Sequence, residues 1–225
     1  MGKRGPKPKE IVKIKWSPDF AYAMGLLATD GCLSKDGRHI DLTSKDFEQV
    51  KNFLRCLKLG LKIGKKTNGT NSIFFRVQIG DVLFYEFLKS IGFSQAKSLI
   101  LGEIKIPKVY FFDFLRGCFD GDGSSYSYWD PRWKSSFMFY VCFTSASPVF
   151  IQWIRTEIKK RTKIEGFITQ SKSKNPCYSL RYAKNDGLEI IKEMYYNADV
   201  VCLSRKRKKI GKMLEINNKQ QDLYI

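Results

Sequence analysis

FLRGCFDGDG occupies residues 114–123, and a related stretch, YAMGLLATDG, occupies residues 22–31. Both stretches follow one frame, in which a glycine precedes two apolar residues, two mostly small residues, an aspartate and a second glycine. The first stretch also has the start signals of a helix, because Ser17 suits the N-cap position and Pro18 suits the first helical turn. The repeated frame indicates that two similar helices organise the chain.

Small residues recur on one face of each of these helices. Gly117 and Gly121 are four positions apart, and Ala21, Gly25 and Ala28 have equivalent spacing in the first copy. Glycine costs about 1 kcal/mol in a helix interior relative to alanine, so we expect a compensating close contact with another backbone. We therefore predict that the two helices pack on each other through these faces.

An aspartate ends each helix, at Asp30 and at Asp122, and a glycine follows it. These glycines, Gly31 and Gly123, predict left-handed residues that stop the helices. If the helices pack side by side, the two carboxylates lie together at helix ends that already carry partial negative charge. A divalent cation between them relieves this repulsion, and oxygen ligands of this kind suit Mg²⁺ or Ca²⁺. The sequence thus predicts a metal site built on two carboxylates.

Composition indicates a folded and strongly basic chain. Of the 225 residues, 43% are hydrophobic, and 40 Lys and Arg against 22 Asp and Glu give a net charge of +18. This excess predicts a polyanionic partner. No apolar run approaches the roughly 18 residues of a membrane-spanning helix, and residues 1–9 lack the apolar core of a signal peptide. We expect no membrane association and no secretion, with a cytoplasmic, nucleoid-associated or organellar location.

The cysteines and the single histidine limit the chemistry. Six cysteines are scattered with no C-x-x-C pair, which predicts reduced thiols rather than a zinc site. His39 is the one histidine, so catalysis by a Ser-His or Cys-His pair is disfavoured. Hydrolysis by a bound metal ion needs neither a cysteine nor a histidine in the site.

The segments that follow the two motifs repeat in the order hairpin, helix, hairpin, helix. Turn signals at Asp36-Gly37 and Asn68-Gly69 define the first pair of hairpins. In the second half, Leu180-Arg181-Tyr182 aligns with Phe75-Arg76-Val77, and residues 124–136 form an aromatic insertion.

We predict an α+β fold of two pseudo-symmetric αββαββα repeats, whose saddle-shaped antiparallel β surface packs on the two motif helices. The predicted divisions are a basic arm at 1–15, repeats at 16–107 and 108–203, and a basic helix and tail at 204–225.

The two stretches resemble the paired motifs of single-chain LAGLIDADG homing endonucleases. Asp30 and Asp122 fall on the final acid of that motif, whereas Asp120 falls on its earlier acid, where the first copy has Ala28. The other departures leave the final acid untouched; they are Ala23, Arg116, Cys118 and Gly121. The resemblance implies a monomeric, site-specific endonuclease for intron homing that cuts both strands of a long asymmetric DNA duplex. Its implied cofactor is Mg²⁺, for which Ca²⁺ or Mn²⁺ substitutes in binding or activity.

The resemblance also implies residue roles. The expected catalytic metal ligands are Asp30 and Asp122, with further ligands from the backbone carbonyls of Thr29 and Gly121. Lys97 and Lys206 follow the final helix of each repeat, where family members often carry a catalytic lysine, although a solvated lysine is an equal alternative. Ser44 and Ser145 lie where the family often has a polar residue that orders water.

Strand alternation predicts which side chains face DNA. An antiparallel ribbon fits the major groove and reaches base edges, and Arg76 and Arg181 suit either a guanine or a phosphate. The expected DNA-binding residues are His39, Asp41, Thr43, Ser72, Arg76 and Gln78 in the first half, and Tyr140, Cys142, Ser179 and Arg181 in the second.

Two other functions fit the same scaffold. One is an RNA-binding maturase that assists the splicing of its own intron, and the other is a DNA-binding regulator whose nuclease site has decayed. Both final acids are intact, which favours the nuclease, since a decayed copy tolerates Asn or Ser there.

Overall fold

The computed structural model describes residues 10–222, apart from residues 68, 70, 96 and 134 and the side chains of residues 97, 98 and 219–222. The helices are α1 (Pro18–Asp30), α2 (Phe47–Cys56), α3 (Val82–Ser90), α4 (Lys97–Ile100), α5 (Phe111–Asp122), α6 (Pro148–Thr162), α7 (Lys184–Met194) and α8 (Ser204–Asp222), with a 3-10 turn at Lys108–Tyr110. The strands are β1 (Gly31–Leu33), β2 (His39–Ser44), β3 (Gly64–Thr67), β4 (Ile73–Gly80), β5 (Ser124–Trp129), β6 (Phe137–Ser145), β7 (Phe167–Gln170) and β8 (Tyr178–Ala183). Most of the predicted basic arm and the turn residue Asn68 lie outside the described residues.

Each repeat contains one four-stranded antiparallel sheet, with strand order β1-β2-β4-β3 in the first and β5-β6-β8-β7 in the second. Side chains alternate between the two faces, so Ile40 and Leu42 are buried while His39, Asp41 and Thr43 between them are partly exposed. Helices cover the buried face of each sheet. The predicted α+β class and the duplicated helix–hairpin order are confirmed.

Strand register corrects the predicted alignment of the two halves. Thr43 pairs with Arg76 in the first sheet, and its counterpart Thr144 pairs with Ser179 in the second. Arg181 is therefore the equivalent of Gln78, so the alignment of Arg181 with Arg76 was wrong by two residues. A slip of two residues keeps every side chain on its own face of the sheet, which is why sequence alternation did not reveal it.

The aromatic segment after the second motif is a regular strand. β5 pairs with β6 from Ser124–Cys142 to Trp129–Phe137, in the way that β1 pairs with β2. The predicted insertion at 124–136 thus lengthens an existing hairpin. Alternating serine and aromatic residues suit a strand with one buried and one outward face.

α1 and α5 cross at the centre of the molecule through their glycines. A Cβ atom on Gly25 would lie 2.8 Å from the amide nitrogen of Cys118 and would overlap the carbonyl oxygen of Phe114. A Cβ atom on Gly117 would in turn overlap the carbonyl oxygen of Tyr22. Backbone thus meets backbone, and the predicted close packing of the two helices is confirmed. Ser17 caps α1 as predicted, because its Oγ accepts a hydrogen bond from the backbone N–H of Phe20.

One fully buried arginine joins α5 to the end of α7 and to the segment that follows α7. The guanidinium of Arg116 donates to the carboxylate of Asp113 at 2.8 Å and to the carbonyl oxygens of Met194 at 2.6 Å and Val201 at 2.9 Å. Because every one of these partners accepts hydrogen bonds, the buried charge is well compensated.

α8 is an integral part of the fold and extends from Ser204 to Asp222, over most of the predicted basic helix and tail. Ile210 and Met213 on one face are buried. At its first turn, Arg205 forms an ion pair of 2.6 Å with Asp46, the N-cap residue of α2. α8 therefore links the second repeat to the first. Within the described residues, no helix has the length and apolar character needed to cross a bilayer.

Candidate active site

The crossing of α1 and α5 brings the predicted ligand residues together. A Cβ atom on Gly121 would lie 2.7 Å from Oδ2 of Asp30 and would overlap the side-chain hydroxyl of Thr29. Asp122 is the next residue, at the last position of α5. The donors available here are two carboxylates and helix-end carbonyls, a set of hard oxygen ligands that fits Mg²⁺, Ca²⁺ or Mn²⁺. No group of three or more His, Cys, Asp or Glu side chains suited to a metal occurs in the described part of the chain.

The glycines after the two aspartates are extended, not left-handed. Gly31 has φ −83° and Gly123 has φ −75°, because α1 continues directly into β1 and α5 into β5. The prediction of left-handed residues was therefore wrong. A Cβ atom at either position would lie 2.6 Å from the preceding helical turn, at the Leu27 carbonyl oxygen or at the Phe119 Cα. Crowding at the turn from helix to strand explains the glycines.

The carboxylate of Asp30 is oriented by a residue that the sequence did not reveal. Nε2 of Gln49 donates to Oδ2 of Asp30 at 2.6 Å, and the hydroxyl of Ser44 donates to Oε1 of Gln49 at 3.0 Å. The hydroxyl of Thr29 adds a contact of 3.2 Å to the same oxygen. Gln49 is only 2% exposed. The one feature of the sequence that indicates this role is that Gln49 is a polar residue next to Val50, on the buried face of α2.

Asp122 has a different environment. It lines a cavity of about 320 Å³ together with Ala28, Thr29, Leu101, Thr144, Ser145, Ala146 and Cys177. The helix N-caps Asp46 and Ser147 align the two halves, and this places Phe150 where the first half has Gln49. Ser145 thus lines the same cavity as Asp122. Ser44, in contrast, is connected to Asp30 through the side-chain amide of Gln49. The two halves of the site are not chemically equivalent.

Lys206 enters the site from α8 and is held at the end of α5. Its Nζ donates to the carbonyl oxygens of Phe119 at 2.5 Å, Gly123 at 2.7 Å, Asp120 at 2.8 Å and Gly121 at 3.1 Å. Burial lowers the pKa of Lys206 to about 8, and the negative charges of Asp120, Asp30 and Asp122 act in the opposite direction. The ammonium group complements the partial negative charge of the helix C-terminus.

The side chain of Lys97 lies outside the described residues, although its backbone begins α4. A catalytic role for Lys97 or Lys206 stays a prediction.

Asp120 occupies a structural position. It is fully buried, and its Oδ2 accepts hydrogen bonds from the Tyr22 hydroxyl at 2.8 Å and the Leu203 N–H at 2.6 Å. Burial raises the pKa of Asp120 to about 6. The carboxylate therefore joins α1, α5 and the segment that leads into α8.

On the first sheet, five of the six predicted DNA-binding residues share the outward face. Asp41 accepts hydrogen bonds from Nε of Arg76 at 2.7 Å and Nε2 of Gln78 at 3.2 Å. Thr43 lies opposite Arg76, and His39 contacts Asp36 in the adjoining turn. Ser72 precedes β4 and is half-buried.

On the second sheet, the four predicted residues also occupy the outward register, but one of them is covered. Cys142 lies opposite Arg181 and is only 3% exposed. The hydroxyls of Ser124 and Ser179 hydrogen-bond its thiol, and burial raises the pKa of the thiol. Alternation predicted the face of Cys142 correctly, and because neighbouring side chains cover the thiol, a contact between Cys142 and DNA stays a prediction. Tyr140, Ser179 and Arg181 are half-buried.

Comparisons with known proteins show the fold. No family model matches the sequence, and no curated protein matches it. Among solved structures, full-length DUF199/WhiA from Thermatoga maritima has a TM-score of 0.57 at 15% identity. The match covers 94% of this chain and 64% of the WhiA chain. This chain therefore spans less than two thirds of the length of WhiA. The homing endonuclease I-WcaI bound to its DNA recognition sequence has a TM-score of 0.57 at 13% identity, with 92% and 94% covered.

I-DmoI in complex with DNA and Mn has a TM-score of 0.52 at 12% identity, with 80% of this chain and 97% of that one covered. The fold of this chain is the one found in LAGLIDADG homing endonucleases and in the LAGLIDADG domain of WhiA.

Proposed function

We propose that this chain is a site-specific endonuclease that hydrolyses both strands of a DNA duplex with a divalent metal ion. One observation carries the proposal: glycine packing between α1 and α5 places the Asp30 carboxylate against Gly121, one residue before Asp122. Two carboxylates at adjoining helix C-termini are unfavourable unless they bind cations. Mg²⁺ is the expected ion.

Asp30 and Asp122 would hold the metal, with help from the carbonyls of Thr29 and Gly121. Bound metal supplies Lewis-acid stabilisation of the phosphate and a water of lowered pKa. Within the protein, Gln49 orients the carboxylate of Asp30 through a hydrogen bond of 2.6 Å. Lys206 adds a positive charge beside both acids, which favours a phosphate at this point.

The partner that we propose is double-stranded DNA. The net charge of +18 favours a polyanion, and I-WcaI and I-DmoI, which share the fold, are seen bound to DNA. The two outward sheet faces differ in sequence, with Asp41 at the position equivalent to Cys142. One chain is therefore expected to bind an asymmetric target as a monomer, whereas a homodimer would need a palindrome.

A cleavage assay tests the proposal. The full chain is incubated with Mg²⁺ and a plasmid that carries the uninterrupted insertion locus, with a chelator as the control. Discrete double-strand cutting that the chelator abolishes supports the endonuclease and an intron-homing role. Binding exclusively to the cognate intron RNA would instead indicate the maturase.

A second candidate function is DNA binding without cleavage. It is favoured by the ammonium of Lys206, which already provides a positive charge at the α5 carbonyls, including that of Gly121. The likeness to WhiA shows that the fold is not confined to proteins named as endonucleases. In the same assay, sequence-specific retention of an intact plasmid with Mg²⁺ present would support this candidate.

A further inference from the structure

The outward faces of the two sheets have different chemistry. Hydrogen-bonding and charged groups dominate the first sheet, where Asp41, Arg76 and Gln78 form one connected cluster and Lys66 lies beside it, opposite Phe74. On the second sheet, the outward strand positions hold mainly aromatic, sulfur-containing and hydroxyl side chains. Among the described outward residues of that sheet, Arg181 alone carries a charge.

Three tyrosines of the second sheet form a stacked row. The rings of Tyr126 and Tyr140 are 4.9 Å apart at 14°, and those of Tyr128 and Tyr140 are 6.2 Å apart at 11°. Tyr126 remains 37% exposed and Tyr128 remains 42% exposed. Because the rings stack on one another, the ring faces by which they stack are covered. This geometry does not suit a platform for unpaired bases, which needs exposed ring faces.

The remaining apolar area on this face comes from β6 and β7. Phe167 lies opposite Arg181 and is 69% exposed, an unusual position for a phenylalanine on a strand. Met138 is half-buried beside the tyrosines. Arg181 hydrogen-bonds the Tyr126 hydroxyl, and its buried Nε has no hydrogen-bond partner among the described residues. The single charged group of the face is thus partly withdrawn among the aromatic side chains.

We propose that the second sheet recognises its half of the DNA duplex through the methyl groups of thymines, whereas the first sheet recognises the other half through hydrogen bonds. This inference rests on the proposed DNA-binding function. In the major groove the thymine methyl is the apolar group, and it is contacted by apolar side chains, while Arg pairs with guanine and Gln with adenine. The half-site against the tyrosine row is therefore rich in A·T pairs, and the half-site against Arg76 contains a guanine.

The experiment uses the full chain and a duplex library with a randomised central region, from which bound sequences are selected in Ca²⁺. Thymines in one half of a selected duplex are then replaced with deoxyuridine, which removes the methyl and leaves the base-pairing edge intact. Removal of one buried methyl is expected to weaken binding about fourfold. We expect this loss in one half of the duplex and almost none in the other.

Variants assign each half of the duplex to a sheet. Phe167→Ser should reduce the methyl dependence of the A·T-rich half, and Arg76→Gln should relax the guanine preference of the other half. Val109→Ser is the matched control, because Val109 is 77% exposed on the 3-10 turn and lies on neither sheet. It should leave both preferences unchanged.

Several results would overturn the inference. One is an equal effect of deoxyuridine in the two halves, and another is a selected half-site rich in G·C opposite the second sheet. Tighter binding of single-stranded DNA than of duplex would show that the tyrosines bind unpaired bases instead. Failure to select any duplex at all would refute the proposed DNA-binding function itself, an outcome distinct from a selected duplex that lacks methyl dependence.

Discussion

Gly117 on α5 lies directly against Gly25 on α1, and a Cβ atom on Gly117 would come within 2.9 Å of the Cα of Gly25. This contact sets the separation of the two helices. It therefore also sets the distance between Asp30, at the end of α1, and Gly121 near the end of α5. The spacing of the candidate site thus depends on the absence of a side chain at the helix crossing.

Gly117→Ala should destabilise the protein by about 1–3 kcal/mol or more, because the new methyl group overlaps backbone that cannot move aside. Gly211→Ala is the matched control, since Gly211 lies in α8 with nothing within 4 Å of its Cβ position. There the replacement should stabilise the helix by up to about 1 kcal/mol. Urea unfolding of both variants measures the difference, and similar free energies of unfolding would contradict the close contact.

Arg116→Met should lower the free energy of unfolding by about 3–5 kcal/mol, because Asp113 keeps a buried charge after its partner is lost. Arg132→Met is the control, since the ion pair of Arg132 with Asp130 is at the surface and the Arg132 side chain is 80% exposed. That change should cost less than about 1 kcal/mol. If thermal melting shifts equally for the two variants, Arg116 does not hold α5 to the segment after α7.

Thiol reactivity should differ sharply between two cysteines. Burial raises the pKa of Cys56 to about 12, with a smaller contribution from the negative charge of Asp19. Because the thiolate is the reactive form, Cys56 should resist iodoacetamide from pH 7 to pH 10 and react only after unfolding. Cys32 is exposed and serves as the control. Mass spectrometry of the native protein locates the label, and modification of Cys56 as fast as Cys32 would refute its burial.

Features set by local sequence were predictable. The N-cap at Ser17, the small-residue faces of α1 and α5, and the strand alternation at Ile40 and Leu42 each follow from spacing within a few residues. These patterns act through helix and strand periodicity, which is a property of the backbone itself. They were sufficient for the fold class and for the placement of Asp30 and Asp122 at helix ends.

Features that depend on distant parts of the chain were not predictable. Gln49 contacts Asp30 across an α2–α1 junction, and Lys206 reaches carbonyls more than 80 positions earlier in the sequence. Cys142 has the outward spacing of a DNA contact, yet neighbouring strands bury it. The two-residue slip of Arg181 conserves the face of every residue, so alternation carries no information about it.

Binding to DNA should weaken steeply with salt, since the chain has a net charge of +18. The slope of log K against log[salt] is expected to be about −0.9 for each phosphate neutralised. Lys66 is exposed on the outward face of β3, so Lys66→Gln should reduce the magnitude of the slope by about one. Fluorescence anisotropy between low and physiological salt measures both slopes, and a nearly flat titration would contradict an interface with the DNA backbone.

Asp30→Asn and Asp122→Asn should each abolish most cleavage while DNA binding survives. Asparagine keeps the size of the side chain and one oxygen but loses the charge that holds a cation. Asp120→Asn is the matched control, because its carboxylate is buried against Tyr22 and Leu203. That variant should melt at a lower temperature but still cut DNA.

Cleavage and binding of one target duplex by these three variants, measured side by side with Mg²⁺, test the two-carboxylate site most directly. We predict that the variants at positions 30 and 122 bind the duplex without cutting it, and that the variant at position 120 cuts it. Normal cutting by Asp122→Asn, together with loss of cutting in Asp120→Asn, would contradict the assignment of Asp122 as the metal ligand.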